Sequence, residues 1–332
     1  MKKIPVIIDC DPGHDDMMAL VMACGSPALD VRLVTTVSGN KPLELVTRNA
    51  LNVLHYIGAD HIPLAEGSPC PIVRAKDHVV EKIAELRRHT DSIENGAHGA
   101  SGLDGFTFPP ENPKRPIAIR AVEAMAKVLR ESEEKVTLIP TGPLTNVALL
   151  LRCFPELKEK IEKISLMGGT SEFVFTRKYM EFNTFMDPEA TKIVFESGLP
   201  ILMYGYDVTY SVLYDNRVIE RIASHGNQSS HMVAQLLRAF MYRHNNAFKW
   251  LGLTDTCPIH DACAVAGVID PTLITESKQL HVDVETGGFY FDGATVCDYA
   301  GALGLPANVQ VVYRMDNERF FDLMESTAAN CQ

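Results

Sequence analysis

Four carboxylates lie close together near the start of the chain. Residues 9–16 read DCDPGHDD and contain Asp9, Asp11, Asp15 and Asp16. Like charges a few ångströms apart raise each other's pKa, so either some of these groups are protonated or a cation lies among them. Ligands that offer only oxygen suit a hard cation such as Ca²⁺ or Mg²⁺. The segment predicts a metal site, and helix capping with solvation of the acids is the less favoured alternative when the stretch is taken alone.

The same spacing excludes one common calcium motif. The pattern D-x-D-x-G opens an EF-hand loop, which requires a bidentate acid at its twelfth position. Counted from Asp9, that position holds Leu20. A further acid occurs in the stretch PIHDACAV, where His260 and Asp261 precede an apolar helical pattern. Such a pair is more often a helix cap and a satisfied histidine, so it gains weight only together with the first cluster.

Short β-branched runs alternate with longer helical patterns along the 332 residues. The predicted strands are Val6 to Asp9, Val31 to Thr36, Val136 to Pro140, Ile164 to Met167 and Ile201 to Tyr204. The predicted helices include Pro42 to Ile57, Ile117 to Arg130, Asn146 to Arg152 and Asp187 to Ser197. This alternation predicts an α/β fold: one domain over residues 1–332 with a mostly parallel open sheet, helices on both faces and a Rossmann-like core.

Additional helices and strands are expected at the rim of this sheet. Residues 215–250 have a long polar helical pattern, residues 281–314 have the pattern of strands and turns, and residues 318–327 have that of a last helix. The stretches DCDPGHDD, PTGPLTN and LMGG follow predicted strands, and EFN comes after a longer gap. Open α/β sheets bind ligands beyond the carboxyl ends of their strands, so we expect one site to collect all four stretches.

The composition excludes several classes of protein. A net charge of -11 argues against a general nucleic-acid binder, which needs a basic face. The five apolar residues before Asp9 are too few for a signal peptide or a membrane helix, so we expect no membrane partner. The eight cysteines show no CxxC spacing, which is typical of reduced thiols. The sequence predicts a cytoplasmic protein.

The chain resembles the calcium-dependent nucleoside hydrolases, also called inosine-uridine preferring nucleoside N-ribohydrolases. The opening motif with its Pro-Gly turn and paired acids is highly specific, and the resemblance runs from Ile4 to about Phe321. The motifs that carry it, in chain order, are DCDPGHDD (9–16), TTVSGN (35–40), TRNAL (47–51), HGASGLDG (98–105), PTGPLTN (140–146), LMGG (166–169), EFN (181–183), DPEA (187–190) and HDACAV (260–265).

The resemblance implies that the protein hydrolyses the N-glycosidic bond of ribonucleosides to give a free base and ribose. The implied cofactor is Ca²⁺, with Asp11, Asp16, the backbone carbonyl of Thr141 and Asp261 as ligands. Such a reaction needs an activated water, and we expect Asp11 to be the general base that activates a calcium-bound water. The residues that the resemblance places around the ribose are Asp15, Asn40, Glu181, Asn183 and Asp261.

Histidines are the candidates for contact with the departing base, because an imidazole can donate a proton near neutral pH. We expect His260 to be the general acid and His98 to contact the base. His98 stands where the purine-specific branch has tryptophan. His244 and Phe248 share one face of a predicted helix and are expected to line the pocket mouth, although a helix that packs Phe248 into the core has the same spacing. Phe175 replaces an asparagine of the protozoan branch, which puts a contact to the 5′-hydroxyl in doubt.

Two alternatives to this function remain open at the level of sequence. A metal-dependent phosphohydrolase that uses the Asp9 and Asp11 pair also begins with D-x-D after a first strand, and a catalytically inactive nucleoside-binding protein would share the same motifs. The preference for purine or pyrimidine bases is not settled by the motifs. The relatives are dimers or tetramers, which implies a homodimer or a homotetramer by analogy.

Overall fold

Strands and helices alternate along the chain in the computed structural model, which describes residues 2–73, 96–171, 180–287 and 291–332. The strands are β1 (Ile4–Cys10), β2 (Leu29–Thr36), β3 (Leu64–Glu66), β4 (Val136–Pro140), β5 (Ile161–Met167), β6 (Ile201–Tyr204), β7 (Leu213–Asp215), β8 (Thr256–Pro258), β9 (Ile274–Val284), β10 (Thr295–Asp298) and β11 (Val309–Met315). The helices are α1 (His14–Gly25), α2 (Leu43–Tyr56), α3 (Ala121–Glu131), α4 (Thr145–Cys153), α5 (Phe182–Met186), α6 (Pro188–Phe195), α7 (Tyr206–Thr209), α8 (Asn216–Ala223), α9 (Gln228–Ala247), α10 (Asp261–Ile269) and α11 (Asn317–Asn330).

Nine of these strands form one sheet in the order β3-β2-β1-β4-β5-β6-β11-β9-β10. The strands from β3 to β11 in this order pair in parallel, and β9 and β10 add antiparallel pairs at one edge. The direction of strand progression reverses between β1 and β4, which is the switch point of a Rossmann-like sheet. The predicted fold class is therefore confirmed.

Helices cover both faces of the sheet because the parallel strands are apolar on both sides. Within β1, Val6 and Ile8 belong to the core on the face of α1, α2, α9, α10 and α11. Ile7 belongs to the core on the opposite face, together with α3, α4 and α6. Successive strand residues point to opposite faces, so one short strand anchors both cores and holds the loop that follows it.

The helix predicted from Ile117 begins four residues later, at Ala121. The backbone N–H of Ile117 donates to the Leu64 carbonyl oxygen at 2.8 Å, so this segment extends alongside β3 instead of closing a helical turn. The strand predicted from residue 281 begins earlier, at Ile274, because its first half pairs with β11.

The polar region 215–250 contains two main helices, α8 and α9, instead of one. Gly226 adopts a φ of 70° between them, and the Asn227 side chain caps α9 by accepting from the Ser230 N–H. A left-handed glycine followed by an N-cap residue is a common way to end one helix and begin the next. Within the described ranges, no helix has the length and apolar character that a membrane crossing requires.

Candidate active site

The loops after β1, β2, β4 and β5 meet at the carboxyl edge of the sheet, around the switch point between β1 and β4. Asp11 follows β1, Asn40 follows β2 and Thr141 follows β4. Glu181 and Asn183 come from the start of α5, and Asp261 comes from the start of α10. The structure thus gathers residues from all the stretches that contain the sequence-predicted site residues, at the place where open α/β sheets bind ligands.

Within the described residues, Asp16 accepts four hydrogen bonds at the start of α1, one of them from Asn40 Nδ2 to its Oδ2 at 3.4 Å. Its Oδ2 accepts from the Gly13 N–H at 3.0 Å, and its Oδ1 accepts from the Asp11 N–H at 3.3 Å. The Thr141 hydroxyl donates to the same Oδ1 at 2.8 Å. A helix N-terminus favours negative charge, so capping and a functional role coexist in this one side chain.

Asp15, Asp16 and Asp261 form a buried acidic cluster, in which one carboxylate oxygen from each lies within 4.8 Å of the others. Asp11 is next to this cluster and fully buried. Its Oδ2 accepts from the Asn40 N–H at 2.5 Å. The Oδ1 atoms of Asp11 and Asp15 are buried and have no hydrogen-bond partner among the described residues.

Burial makes the charged forms of these acids unfavourable. Desolvation, followed by the neighbouring Asp16 charge, raises the pKa of Asp15 to about 8 and the pKa of Asp11 well above its usual range. Desolvation and then Asp15 raise the pKa of Asp261 in the same direction. A bound cation would reduce both penalties by balancing the negative charges. The residues present therefore fit a hard divalent cation.

The geometric cluster and the sequence-predicted calcium ligands overlap without being identical. Both contain Asp16 and Asp261, but the cluster has Asp15 where the prediction has Asp11 and Thr141. The Thr141 carbonyl oxygen accepts from Asn183 Nδ2 at 2.8 Å. A carbonyl oxygen has two lone pairs, so this bond leaves capacity for a second partner.

The two polar residues of the EFN stretch, Glu181 and Asn183, are held by hydrogen bonds to the backbone. Glu181 caps α5 by accepting from the N–H groups of Asn183 at 2.8 Å and Thr184 at 3.1 Å, and it also accepts from Gly169 at 3.1 Å. Burial raises the Glu181 pKa to about 7, against the opposing effect of these amides. Asn183 Nδ2 donates to the Thr141 and Met167 carbonyls. Asn183 thereby links the ends of β4 and β5, and Glu181 links the start of α5 to the loop after β5.

Three buried histidines, His98, His244 and His260, have lowered pKa values and are neutral at neutral pH. Burial lowers the pKa of His260 to about 3 and that of His244 to about 4, and it lowers the His98 pKa well below its usual range. His98 Nε2 lies 3.9 Å from Asp15 Oδ1, and His244 Nε2 is buried without a partner in the described part of the chain. A neutral imidazole carries one N–H; His244 donates its own from Nδ1 to Asn245 Oδ1 at 3.2 Å, so its Nε2 offers a lone pair.

Sequence reasoning missed the residues that surround His260. The Thr209 hydroxyl lies 2.7 Å from His260 Nδ1. The rings of Tyr206 and Tyr210 lie 5.5 and 5.1 Å from the imidazole, measured between centroids. All three residues belong to the stretch GYDVTY directly after β6. The stretch has no cluster of charged residues that would mark it as part of a site. Its position directly after a parallel strand was the signal in the sequence that these residues lie near the ligand.

His244 and Phe248 lie side by side, with ring centroids 4.9 Å apart. His244 is buried near the end of α9, whereas Phe248 follows the last residue of that helix and is only partly buried. Phe248 is absent from the two core clusters. Phe175, on which the expectation for the 5′-hydroxyl depends, lies outside the described residues.

Comparison with known proteins gives a consistent result. The family described as inosine-uridine preferring nucleoside hydrolase matches residues 6–322. The pyrimidine-specific ribonucleoside hydrolase RihA of Photobacterium profundum is 42% identical over 326 residues, which cover 98% of this chain and 99% of that protein. The protein of the same name from Escherichia coli is 41% identical over 321 residues, which cover 97% of each chain.

Solved structures of nucleoside hydrolases have the same fold. A purine-preferring ribonucleoside hydrolase from Gardnerella vaginalis superposes with a TM-score of 0.85 at 27% identity, covering 98% of both chains. The plant nucleoside hydrolase PpNRh1 superposes with a TM-score of 0.84 at 28% identity, covering 99% of both chains.

An open α/β sheet with buried acids at its switch point offers a site that can hold a hard cation together with a ligand. The chain belongs to the inosine-uridine preferring nucleoside hydrolase family. It is an N-glycosidase that hydrolyses ribonucleosides to a base and ribose.

Proposed function

We propose that this enzyme hydrolyses pyrimidine ribonucleosides and that Ca²⁺ is its cation. The observation that carries the proposal is the pair of unpartnered carboxylate oxygens, one from Asp11 and one from Asp15, buried beside the acidic cluster in the described part of the chain. The relatives at 41% and 42% identity are named pyrimidine-specific, which supports the choice of base. The purine-preferring structural relative is more distant, at 27% identity.

The cation is held by Asp11, Asp16, Asp261 and the carbonyl oxygen of Thr141. This set offers only oxygen, which suits a hard cation that accepts a flexible ligand arrangement. When bound, the cation supplies a positive charge that orients a water molecule and lowers its pKa. The chain's own contribution is to fix the oxygens in place. The Thr141 hydroxyl and the Gly13 N–H do this for Asp16.

Asp11 is the general base in this proposal. The Asn40 N–H fixes its Oδ2, so that Oδ1, which has no partner among the described residues, is the oxygen that takes the proton from water. Asn40 Nδ2 also donates to the Asp11 carbonyl oxygen at 3.2 Å, which adds a second connection between the loops after β1 and β2. A base held in one orientation loses little freedom when the water approaches.

The ribose is held by carboxylate and amide groups. Asp15 and Asp261 accept hydrogen bonds from sugar hydroxyls, and Asn40, Glu181 and Asn183 complete the sugar subsite. The two bonds of Asn183 Nδ2 to backbone carbonyls leave its Oδ1 available as an acceptor. These contacts strengthen as the sugar ring flattens toward an oxocarbenium-like transition state.

The base subsite is formed by His98, His244, His260 and Phe248. His260 is the general acid in this proposal: Thr209 engages its Nδ1, which leaves Nε2 to give a proton to the departing base. Burial lowers the His260 pKa to about 3, so the resting ring is neutral at neutral pH. It must first take up a proton from solvent, and the imidazolium then gives its Nε2 proton to the departing base and returns to the neutral form. His98 contacts the base from the side of Asp15.

We extend the proposal to the state of the protein in the cell. All eight cysteines are free thiols, which is typical of a reducing compartment and supports the cytoplasm. The family resemblance implies a homodimer or a homotetramer in which each chain forms one domain over residues 1–332.

The test is a measurement of ribose release from uridine, cytidine, inosine, adenosine and guanosine by protein treated with a chelator and then supplied with Ca²⁺ or Mg²⁺. We expect kcat/KM to be at least tenfold higher for uridine or cytidine than for the purine nucleosides, and Ca²⁺ to restore activity better than Mg²⁺. A higher kcat/KM for inosine or guanosine would contradict the pyrimidine assignment. Full activity without any added cation would contradict the role of the acidic cluster.

A further inference from the structure

An additional imidazole lies directly behind the base-facing His98. His14 is the first residue of α1 and is fully buried. Its Nδ1 lies 3.2 Å from His98 Nδ1, and its Nε2 lies 2.9 Å from the Asp104 carbonyl oxygen. A carbonyl oxygen only accepts, so His14 Nε2 carries the ring proton and donates to the Asp104 carbonyl oxygen; in this tautomer His14 Nδ1 accepts, and His98 Nδ1–H donates to it. Neither the metal, the ribose nor the base contacts of the proposed function use His14.

Both partners of His14 belong to one loop, residues 96–105, which is itself anchored. The Asp104 carboxylate accepts from the N–H groups of Ala100 and Ser101, each at 2.9 Å. Arg243 of α9 donates to the Gly96 carbonyl oxygen at 3.1 Å. The Asp104 carbonyl and the His98 ring are therefore held in fixed positions on the two sides of His14.

Packing restricts the His98 ring further. The rings of His14, His98 and Phe240 stack with interplanar angles of 8° to 21° and centroid distances of 5.2 to 5.5 Å. A Cβ at Gly13 would lie 2.6 Å from His98 Nδ1, so the close approach of this ring requires a glycine in the turn. The opposite nitrogen, His98 Nε2, is the one that lies 3.9 Å from Asp15 Oδ1.

We propose that His14 is a positioning residue: it engages Nδ1 of His98, so that Nε2 of His98 is the nitrogen presented to the leaving base. The inference rests on the proposed function, because it takes His98 as a contact of the base. In an imidazole the bond made by one ring nitrogen decides which hydrogen-bonding group the other nitrogen offers. A partner in this position fixes both the ring orientation and the tautomer, as the outer partners of metal-bound histidines do.

Three substitutions of His14 separate this role from a general structural one. The amide oxygen and nitrogen of asparagine are as many bonds from Cβ as Nδ1 of histidine is, so His14→Asn can place a polar atom where Nδ1 was. The amide oxygen and nitrogen of glutamine are as many bonds from Cβ as Nε2 of histidine is, so His14→Gln can place a polar atom where Nε2 was. Asparagine therefore keeps a polar group beside His98 and loses the bond to Asp104, whereas glutamine does the reverse. His14→Phe keeps the stacked ring and loses both bonds. His231→Phe, on the exposed side of α9, is the matched control.

The assay compares uridine with p-nitrophenyl riboside, whose leaving group has no ring nitrogen or ring carbonyl for His98 to contact. We expect His14→Phe and His14→Gln to lose about tenfold or more in kcat/KM on uridine, and His14→Asn to retain activity within a few-fold. The backbone N–H of His14 also lies 3.2 Å from His98 Nδ1, so in a variant without the side-chain acceptor it can bond an unprotonated Nδ1 and select the other tautomer of His98. The control variant should match the wild type on both substrates.

A further comparison uses His98→Ala as background. If His14 acts through His98, His14→Phe should cause no additional loss on uridine in that background. Equal losses on uridine and p-nitrophenyl riboside, or better retention of activity by His14→Gln than by His14→Asn, would overturn the positioning role. Failure of the wild type to hydrolyse uridine would instead overturn the proposed function, so the two failures are distinguishable.

Discussion

The Thr141 hydroxyl allows a direct test of how the protein holds its cation. The substitution Thr141→Val keeps the side-chain shape and the backbone carbonyl but removes the 2.8 Å bond to Asp16. Hydrogen bonds to charged groups contribute about 1.5 to 3 kcal/mol. Asp16 keeps its bonds from the Gly13 and Asp11 N–H groups, so we expect the lower end of this range, or about a tenfold weaker Kd for Ca²⁺.

Thr145→Val is the matched control for this substitution. Thr145 belongs to the same PTGPLTN stretch, and its hydroxyl donates at 2.6 Å to Asp187, a buried acid outside the site. Both variants leave a buried carboxylate with one bond fewer, so each should lose about 1 to 3 kcal/mol of stability. Only Thr141→Val should weaken cation binding.

The assay is a calorimetric titration of chelator-treated protein with Ca²⁺, followed by kinetics at increasing Ca²⁺ concentration. Thr141→Val should recover most of its kcat when Ca²⁺ is saturating, because the side chains of Asp11 and His260 are unchanged. An unchanged Kd in Thr141→Val, or an equal increase in Kd for Thr145→Val, would refute the reasoning that this hydroxyl orients a cation ligand.

Three further predictions address other parts of the site. Asp11→Ala or Asp16→Ala should abolish uridine hydrolysis and tight retention of Ca²⁺ while far-UV circular dichroism stays native, and full turnover by either variant after chelation would exclude the metal assignment. His260→Ala should slow uridine hydrolysis at least tenfold, about 1.4 kcal/mol of barrier, yet spare p-nitrophenyl riboside, whose phenolate needs no proton; equal loss on both substrates would indicate a structural role. Burial raises the Asp9 pKa from 3.8 to about 6. The charge of Asp9 therefore destabilises the folded protein: this loss of unfolding free energy is absent below pH 3.8 and complete above about pH 6. The stability of Asp9→Asn relative to the wild type should therefore rise by about 2 to 3 kcal/mol between pH 4 and pH 7 in denaturant titrations with chelator, and a constant difference would contradict it.

The position of the site was predictable because it follows from the direction of the strands. Buried β-branched runs such as Val136–Pro140 identify parallel strands, and the loops after such strands meet at one edge of the sheet. Asp11 and Thr141 are 130 positions apart in the chain, yet the pairing of β1 with β4 brings their loops together. Fold class and site location thus depend on patterns that a single sequence contains.

The hydrogen bonds within the site were not predictable in the same way. The bonds of His14 to Asp104 and of Asn183 to Thr141 link side chains to carbonyls 90 and 42 positions away. Such bonds depend on how loops pack after the sheet has formed, and histidine and asparagine have ordinary structural uses that the sequence cannot distinguish from these. The Tyr206 and Tyr210 rings escaped notice for a related reason, since aromatic residues after a strand are usually core residues.

Strand β1 and the acids that follow it contribute to the stability of the protein in opposite directions. Strand β1 stabilises both cores through Val6, Ile7 and Ile8, and this burial keeps the loop behind it rigid. The same burial raises the pKa of Asp11 and Asp15 and leaves an oxygen of each without a partner among the described residues, which lowers the stability of the protein without a cation. A loop that satisfied these oxygens internally would be more stable and would have no ligands to offer. The unfavourable local energy of the acids would therefore favour binding of a cation, and the sheet supplies the stability that offsets this energy.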